Sequence, residues 1–466
     1  MLKTLLRQNF GLIALATALL FSSPSVQAKV SVKSKKQIST SPLLLNLESW
    51  MRWQEATSIE RFMANISMPG TARGSVMASP EKVSPNYFYH WTRDAAVTMN
   101  TVVDLADDAI ASGTKSSLNV YLAALVDYVD FSIANQRTVT LTGLGEPKFE
   151  ADGSAFNAGW CRPQNDGPAL RASTLIRFAN RLLASGQKAY VAKKLYDGTM
   201  ASAVKADLEY VSHHWRDANC EPWEEVAGHH FYNQLVQERA LKDGAELATA
   251  LDDPGAANWY ASQAEAISVE LQKYFNPSTG AFVPTLVQTG GLQGKTSGLD
   301  SATILAVLHT SFEPTRAPLI GFNDSRFIST FEALVSAFQP LYSVNTNTVA
   351  ANVGPAIGRY PEDVYDGLGF ANGNPWVLIT AAFANASYRI AENQMQAGSP
   401  AAAKAWLARG DSFMERVKLH ANADGSLSEQ IDRQTGYMRG ARDLTWSHVE
   451  VIQAIRTRNR VRSLIL

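Results

Sequence analysis

The sequence predicts an all-α protein in which about twelve helices form antiparallel pairs within one domain. Apolar residues recur at helical spacing along most of the 466 residues. Runs with the alternation typical of strands are rare. No linker rich in serine, glycine and proline divides the chain after its N-terminal segment, so we expect a single domain.

The first 28 residues have the pattern of a secretory signal peptide. Lys3 and Arg7 precede the apolar run GLIALATALLF, and small residues lead to a cleavage site after Ala28. The apolar run is short for a membrane span, although an uncleaved anchor is the alternative. We therefore expect a mature domain of residues 29–466 that is secreted or periplasmic, with no later segment able to cross a bilayer.

Helical periodicity and helix-terminating residues predict twelve helices along that domain. They cover residues 44–66, 95–112, 117–136, 168–184, 187–212, 224–248, 255–274, 299–310, 326–340, 374–395, 400–419 and 445–458. Turn residues and β-branched residues in the segment 276–298 favour a small hairpin there.

Long loops separate several of these helices and contain most of the side chains that could carry chemistry. They span residues 67–94, 137–167, 341–373 and 420–444. Loops of this length are uncommon in a compact domain and are usually functional. Trp, Tyr, Arg, Asp and Glu gather in them, so a polar pocket lined by aromatic rings is the leading interpretation.

Composition argues against several other classes of function. The net charge is −1 and no basic stripe is present, so no nucleic-acid partner is expected. Neither a CxxC nor an HExxH pattern occurs, and we expect no metal and no cofactor. The two cysteines, Cys161 and Cys220, could form a disulfide in a secreted protein or remain as buried thiols.

The stretch EPWEEV, residues 221–226, has two interpretations. Pro222 and the acidic pair Glu224–Glu225 suit the first turn of a helix, because proline lacks the unneeded N–H and the helix dipole favours acidic side chains there. Alternatively, a carboxyl group beside a tryptophan and a second carboxyl group is favoured in its protonated form. Glycoside cleavage needs such a proton donor together with a second, ionised carboxylate.

Two further loops carry groups that suit a sugar. In NYFYHWTRD, Arg93 and Asp94 follow four aromatic residues and could bind two neighbouring hydroxyl groups, although Asp94 could instead cap a helix beginning at Ala95. In the loop 137–167, Trp160 offers an apolar plate for a pyranose ring. The alternative is an ordinary polar loop that leads into the next helix.

The motifs YFYHWTRDA, GLGEPKF, WCRPQNDGPALRA, PWEEV, GRYPEDVY, GNPW and SEQID…ARDLTWS resemble glycoside hydrolase family 15, the glucoamylases. The resemblance covers nearly all of the predicted mature chain, in order. It implies an (α/α)6 barrel, or six-hairpin toroid, whose catalytic loops gather at one end. It also implies an exo-acting enzyme that hydrolyses α-1,4-glucans such as starch and maltooligosaccharides, releasing β-D-glucose from non-reducing ends with inversion.

The resemblance also implies roles for individual residues. Glu224 matches the general acid and Glu429 the general base, and inversion requires about 6.5–9.5 Å between their carboxyl groups. Further positions match substrate-binding residues of the family: Tyr87, Arg93, Asp94, Trp160, Trp223, Glu225 and Arg359. Trp91 lies in a matched motif without a clear contact to sugar.

Some positions depart from the family pattern. Cys161 and Pro222 stand where the family often has glycine and leucine, and His90 where threonine is common. These differences leave the preferred linkage and chain length open. Cys161 and Cys220 both flank catalytic motifs, so a disulfide between them would lie near the pocket. We expect a monomer whose partner is an α-glucan, with no separate starch-binding domain. A related hydrolase acting on dextran or trehalose and an inactive glucan-binding protein are the alternatives.

Overall fold

The computed structural model describes residues 42–312, 316–346 and 350–465. The predicted signal peptide therefore lies outside the described residues. Helices of eight or more residues dominate the described part: α1 (Leu47–Ala64), α2 (Thr92–Ser112), α3 (Lys115–Asn135), α4 (Asp166–Ala184), α5 (Ala203–His214), α6 (Phe231–Ala250), α7 (Pro254–Leu271), α8 (Ala302–His309), α9 (Ser325–Phe338), α10 (Val377–Gln396), α11 (Pro400–His420) and α12 (Thr445–Ile465).

The even-numbered helices form a closed inner ring. Each packs against the next in the order α2, α4, α6, α8, α10 and α12, and α12 returns to α2. Each odd-numbered helix packs outside against an even-numbered neighbour, with α1 lying against α12. The predicted all-α (α/α)6 barrel is confirmed.

Inner and outer helices differ in how many of their faces are apolar and buried. In α8, ATILAVLH has no Asp, Glu, Lys or Arg, and all of its residues are buried. The outer helix α9 instead buries Phe327, Phe331, Leu334 and Phe338, which recur at three- to four-residue intervals along one face. Burying such a side chain contributes about 1.5–3 kcal/mol, so the inner helices are the main source of core stability.

The connections between helices differ in length at the two ends of the barrel. The six segments that lead from an outer to an inner helix have 16 residues or more. They span 65–91, 136–165, 215–230, 272–301, 339–376 and 421–444. The return connections, which lead from an inner to an outer helix, include 113–114, with two residues, and 251–253, with three. Because the inner helices run parallel, these six segments meet at the N-terminal end of the ring.

Short strands brace these long segments. The pairs are β1 (His90–Trp91) with β2 (Lys148–Phe149), β5 (Phe275–Asn276) with β6 (Ala281–Phe282), and β8 (Gln430–Ile431) with β9 (Met438–Arg439), and a three-stranded sheet joins β3 (Asn219–Cys220), β4 (Val226–His230) and β7 (Thr285–Gly291). The hairpin predicted within 276–298 is therefore only partly right, since β7 pairs with the distant β4.

The helix predicted over 224–248 begins later than expected. Residues 226–230 form β4, with alternating burial, and α6 starts at Phe231. Glu224 and Glu225 are therefore not first-turn residues, and the helix-start interpretation is wrong. The cause is not local: β4 is fixed by pairing with β3 and β7 on either side.

The helix predicted over 187–212 is also interrupted. Only Lys188–Leu195 is helical before a turn at Gly198, whose φ of +82° favours glycine, and α5 begins at Ala203. Among the described residues, α3 is long and apolar enough to span a membrane by length and composition, with a mean hydropathy of 1.2. From the sequence we expected no segment after residue 28 to be long and apolar enough to cross a bilayer. In the structure, α3 packs against α2 and buries Leu118, Tyr121 and Leu125.

Candidate active site

The segment Tyr87–Trp91, between α1 and α2, joins two carboxylates that are far apart in sequence. The Trp91 indole N–H donates to Glu224 Oε1 at 2.8 Å, and the Tyr87 hydroxyl donates to Glu429 Oε1 at 2.8 Å. The two aromatic rings have centroids 5.5 Å apart. Both glutamates therefore face one small region at the N-terminal end of the inner ring.

Glu224 is bound from several sides while its side chain stays 15% exposed. Besides Trp91, the Gln164 amide donates to Glu224 Oε1 at 3.0 Å, and the Arg93 guanidinium lies 3.5 Å away. All three donors reach the same oxygen, Oε1. The second oxygen, Oε2, is not bound by these donors and is the one that could face a substrate.

A buried glutamate shapes the backbone around Glu224. Glu221 accepts hydrogen bonds from the backbone amides of Trp223, Glu225 and Val226 at 2.5–3.1 Å. Burial alone would raise the pKa of Glu221, but Lys295, His230 and the Trp223 amide hold it below its usual value. Glu224 itself has φ +68°, a region that costs non-glycine residues free energy and needs a well-held loop.

Glu429 is buried, with 1% exposure, and lies just before β8. Burial raises the pKa of its carboxyl group to about 8, and the hydroxyl groups of Tyr87 and Tyr365 and the Arg359 guanidinium oppose the rise by stabilising the ionised form. The Tyr87 and Tyr365 hydroxyl oxygens are 2.9 Å apart, so they form one network beside the carboxylate.

Arg93 and Asp94 occupy the first turn of α2. Arg93 donates to Gln164 Oε1 at 2.9 Å and to Asp166 Oδ2 at 3.0 Å, while its Nε lies 3.5 Å from Asp94 Oδ2. Neither Arg93 Nε nor Asp94 Oδ2 has a hydrogen-bond partner among the described residues. A donor and an acceptor side by side suit two adjacent hydroxyl groups. The alternative role of Asp94, as the cap of a helix beginning at Ala95, is wrong because α2 begins at Thr92.

Burial raises the pKa of Asp94 to about 7, with Arg93 opposing and Glu224 and Asp166 reinforcing the shift.

Arg359 holds the next group of predicted residues together. It makes a bidentate ion pair with Asp363 at 2.7 and 2.6 Å and donates to Glu225 Oε1 at 2.8 Å. Tyr360 donates to the other oxygen of Glu225 at 2.6 Å. Burial raises the pKa of Glu225, and Arg359 and Tyr360 oppose the rise. Both oxygens of Glu225 are thus already bound, which suits a positioning group better than a proton donor.

Trp223 and Trp160 line different parts of this region. Trp223 is buried, donates to Asp300 Oδ1 at 2.8 Å and packs against Trp376 with centroids 5.7 Å apart. Trp160 is 38% exposed, and its centroid is 6.1 Å from that of Trp91, the partner of Glu224. An exposed indole beside the Glu224 donor offers an apolar face that could contact a ring-shaped ligand.

All nine predicted site residues therefore gather at one end of the barrel, but other participants were missed. Tyr365, Gln164 and Glu221 bind or position the two catalytic candidates.

Lys148 is 2% exposed, and its Nζ lies 3.3 Å from the Trp160 ring centroid and 4.6 Å from that of Trp91. Burial lowers the pKa of Lys148 to about 8, with Glu224 and Glu150 opposing. Its place in the motif GEPKF was the available signal.

Cys161 and Cys220 form a disulfide, which resolves the alternative left open by the sequence. The bond connects the residue after Trp160 to the end of β3, four residues before Glu224. It therefore joins two long segments that both contribute to the site.

The site offers two carboxyl groups held by different donors, a guanidinium–carboxylate pair with unpartnered polar atoms, and aromatic walls. The inner helices α2, α4 and α12 begin at this end of the barrel, where the partial positive charge of helix N-termini favours ionised carboxylates. Such a set can bind sugar hydroxyl groups and transfer protons on the two sides of a glycosidic bond.

Comparisons with known proteins agree with this chemistry. Residues 60–456 match the model of Glycosyl hydrolases family 15. Glucoamylase 1 of Rhizopus oryzae is 37% identical over 444 residues, covering 88% of this chain and 70% of that protein. A glucoamylase of Saccharomycopsis fibuligera is 34% identical, covering 90% and 92% of the two chains. The solved structure of a glucoamylase from S. fibuligera has a TM-score of 0.80 at 31% identity, covering 90% of this chain and 96% of that one.

Proposed function

Because the chain belongs to glycosyl hydrolase family 15, we propose that it is a glucoamylase in which Glu224 is the general acid and Glu429 the general base. The enzyme removes glucose from the non-reducing ends of α-glucans and inverts the anomeric centre. Arg93 and Asp94 bind hydroxyl groups of the terminal glucose, while Trp160, Trp223, Glu225 and Arg359 shape the surrounding pocket. Tyr87 donates a hydrogen bond to Glu429 and stabilises its ionised form.

One observation supports these roles above the others. Two carboxyl groups from distant parts of the chain are fastened to the same aromatic segment, Glu224 through Trp91 and Glu429 through Tyr87. Each has its own donors, so the two carboxyl groups are positioned independently of each other. An inverting glycosidase needs such a pair on opposite sides of the reacting sugar.

The reaction follows from these positions. Glu224 donates its proton to the glycosidic oxygen as the bond to the anomeric carbon breaks. The ionised Glu429 accepts a proton from a water molecule that attacks the anomeric carbon from the opposite face, which gives β-D-glucose. Trp91, Gln164 and Arg93 then stabilise the carboxylate that Glu224 becomes. Exchange of protons with solvent restores both groups.

We further infer that residues 1–28 are a signal peptide and that residues 29–466 act as one catalytic domain outside the cytoplasm, as a monomer. The Cys161–Cys220 disulfide supports export, because disulfides form and persist in oxidising compartments. We expect a preference for α-1,4-linked glucans. Turnover of a panel of α-1,4-, α-1,6- and α,α-1,1-linked glucosides tests that preference.

Substitution of the two glutamates tests the assignment. Glu224→Gln should lower kcat on maltose by about 10²–10⁴-fold, the usual contribution of a general acid. It should have much less effect on α-glucosyl fluoride, whose leaving group needs little protonation. Glu429→Gln should slow both substrates, and Glu238→Gln, on the α6 surface that faces α7, is the matched control. Proton NMR of fresh product should show the β-anomer. Near-normal maltose turnover by Glu224→Gln, or an initial α-anomer, would refute the proposal.

A further inference from the structure

We propose that the Cys161–Cys220 disulfide is a positioning element for proton donation by Glu224, an inference that rests on the function proposed above. The bond joins the segment that carries Trp160 and Gln164 to the segment that carries Glu224. Its part in the reaction is to keep the carboxyl group of Glu224 aimed at the glycosidic oxygen.

A closed circuit of bonds supports this role. The disulfide links Cys161 to Cys220, and the backbone leads from Cys220 to Glu224. Gln164 donates to Glu224 Oε1 at 3.0 Å and to the carbonyl oxygen of Cys161 at 3.2 Å, which closes the circuit. A second tie runs beside it, because the backbone N–H of Cys220 donates to Pro163 O at 2.8 Å. Movement of one cysteine relative to the other is therefore transmitted to the amide that holds the acid.

The two linked segments are otherwise held in different ways. The Glu224 side is anchored from below by the Glu221 carboxylate and by pairing of β3 with β4. On the other side, residues 157–160 are exposed and precede Cys161 directly. The disulfide is the covalent connection between the anchored and the exposed segment, and it lies next to the Trp160 wall.

Glu224 has particular need of such support. Its φ of +68° is unfavourable for a non-glycine residue, so its conformation depends on the surrounding bonds. Displacement of a catalytic group by about 1 Å can cost on the order of 10²-fold in rate. Opening the disulfide weakens only one side of the circuit, and we therefore expect a loss of about tenfold in kcat for substrates that require proton donation.

The chain allows a clean test because it contains only these two cysteines. The native enzyme is treated with a thiol reductant without denaturant, and reduction is verified by titrating two free thiols. Turnover is then measured on maltose, which needs the acid, and on α-glucosyl fluoride, which hardly needs it. The Cys161→Ala/Cys220→Ala double variant is assayed alongside, with and without reductant. Circular dichroism reports whether the helical fold persists.

The expected result is a fall of about tenfold in kcat on maltose and a change of less than about twofold on the fluoride. The double variant should behave like the reduced enzyme and should not respond to reductant. Equal turnover before and after reduction, or a parallel loss on both substrates, would overturn the inference, since a general loosening of the fold does not distinguish leaving groups. The Glu224→Gln variant tells the two failures apart: if it fails to separate the two substrates, the acid assignment is refuted first.

Discussion

Removal of the Tyr87 hydroxyl group should move the acidic limb of the pH–rate profile to higher pH. The Tyr87 hydroxyl donates to Glu429 Oε1 at 2.8 Å and lowers the pKa of a carboxyl group that burial raises. Without that donor the ionised form of Glu429 is less stable, so its pKa rises. Because the general base must be ionised, activity should be lost earlier as the pH falls.

The size of the shift follows from the strength of the hydrogen bond. A hydrogen bond to a charged group contributes about 1.5–3 kcal/mol, and one pKa unit corresponds to about 1.36 kcal/mol. Complete loss therefore corresponds to about one to two units. The Tyr365 hydroxyl lies 2.9 Å from that of Tyr87 and can take over part of the contact, so we expect a shift near one unit.

The assay is kcat/KM on maltose across pH for wild type and Tyr87→Phe. Tyr89→Phe is the matched control, since Tyr89 lies in the same segment and its hydroxyl accepts from Asn86 rather than contacting either glutamate. Its acidic limb should coincide with that of wild type. An acidic limb of Tyr87→Phe that moves by less than about half a unit, or that moves to lower pH, would refute the reasoning.

Three further predictions concern binding and stability. Burial raises the pKa of Asp94 to about 7. Between about pH 4 and 7 the folded protein therefore keeps the carboxyl proton that the unfolded chain has released. The contribution of Asp94 to the free energy of unfolding is lost as the pH rises through this interval. Asp94→Asn should therefore abolish maltose hydrolysis yet gain in Tm relative to wild type between pH 5 and pH 8; a relative loss over that interval would contradict the sign. Trp160→Ala should raise KM for maltotetraose about tenfold with a smaller change in kcat, because the 38% exposed indole is an outer wall; an unchanged KM would exclude it from the pocket. Asp207→Asn should lower the free energy of unfolding by about 3–5 kcal/mol in urea titrations, because it leaves Arg171 buried without its bidentate partner; a loss below about 1 kcal/mol would contradict this.

The barrel was largely predictable because long helices repeat an apolar pattern many times. Helices such as α3 and α11 begin and end within two residues of their predicted limits, 117–136 and 400–419. The sequence did not separate inner from outer helices by itself. That distinction depends on which faces meet, as the complete burial of α8 and the one-sided burial of α9 illustrate.

The segment before α6 shows where local patterns fail. Val226 and Phe231 fit a helical spacing, yet Val226 belongs to β4 because the distant β7 supplies its hydrogen bonds. The same segment depends on Glu221, whose three backbone contacts could not be inferred from a glutamate beside a proline.

Lys148 shows a second limit. A lysine is usually solvated, and nothing adjacent in sequence indicates burial. Phe156 and Trp160 come from the loop that follows it, and Tyr89 and Trp91 come from the segment before α2; their ring centroids lie 3.3–4.6 Å from its Nζ. Motif resemblance supplied the candidate catalytic residues, but the side chains that contact them required coordinates.

The unequal connections of the barrel have a practical consequence for handling the protein. The three-residue links 251–253 and 397–399 lie at the end opposite the carboxylates. Immobilisation on a solid support through a single thiol or tag inserted at either link should leave the catalytic mouth facing the liquid phase. Two catalysts joined back to back through these links should each keep full access to a polymer.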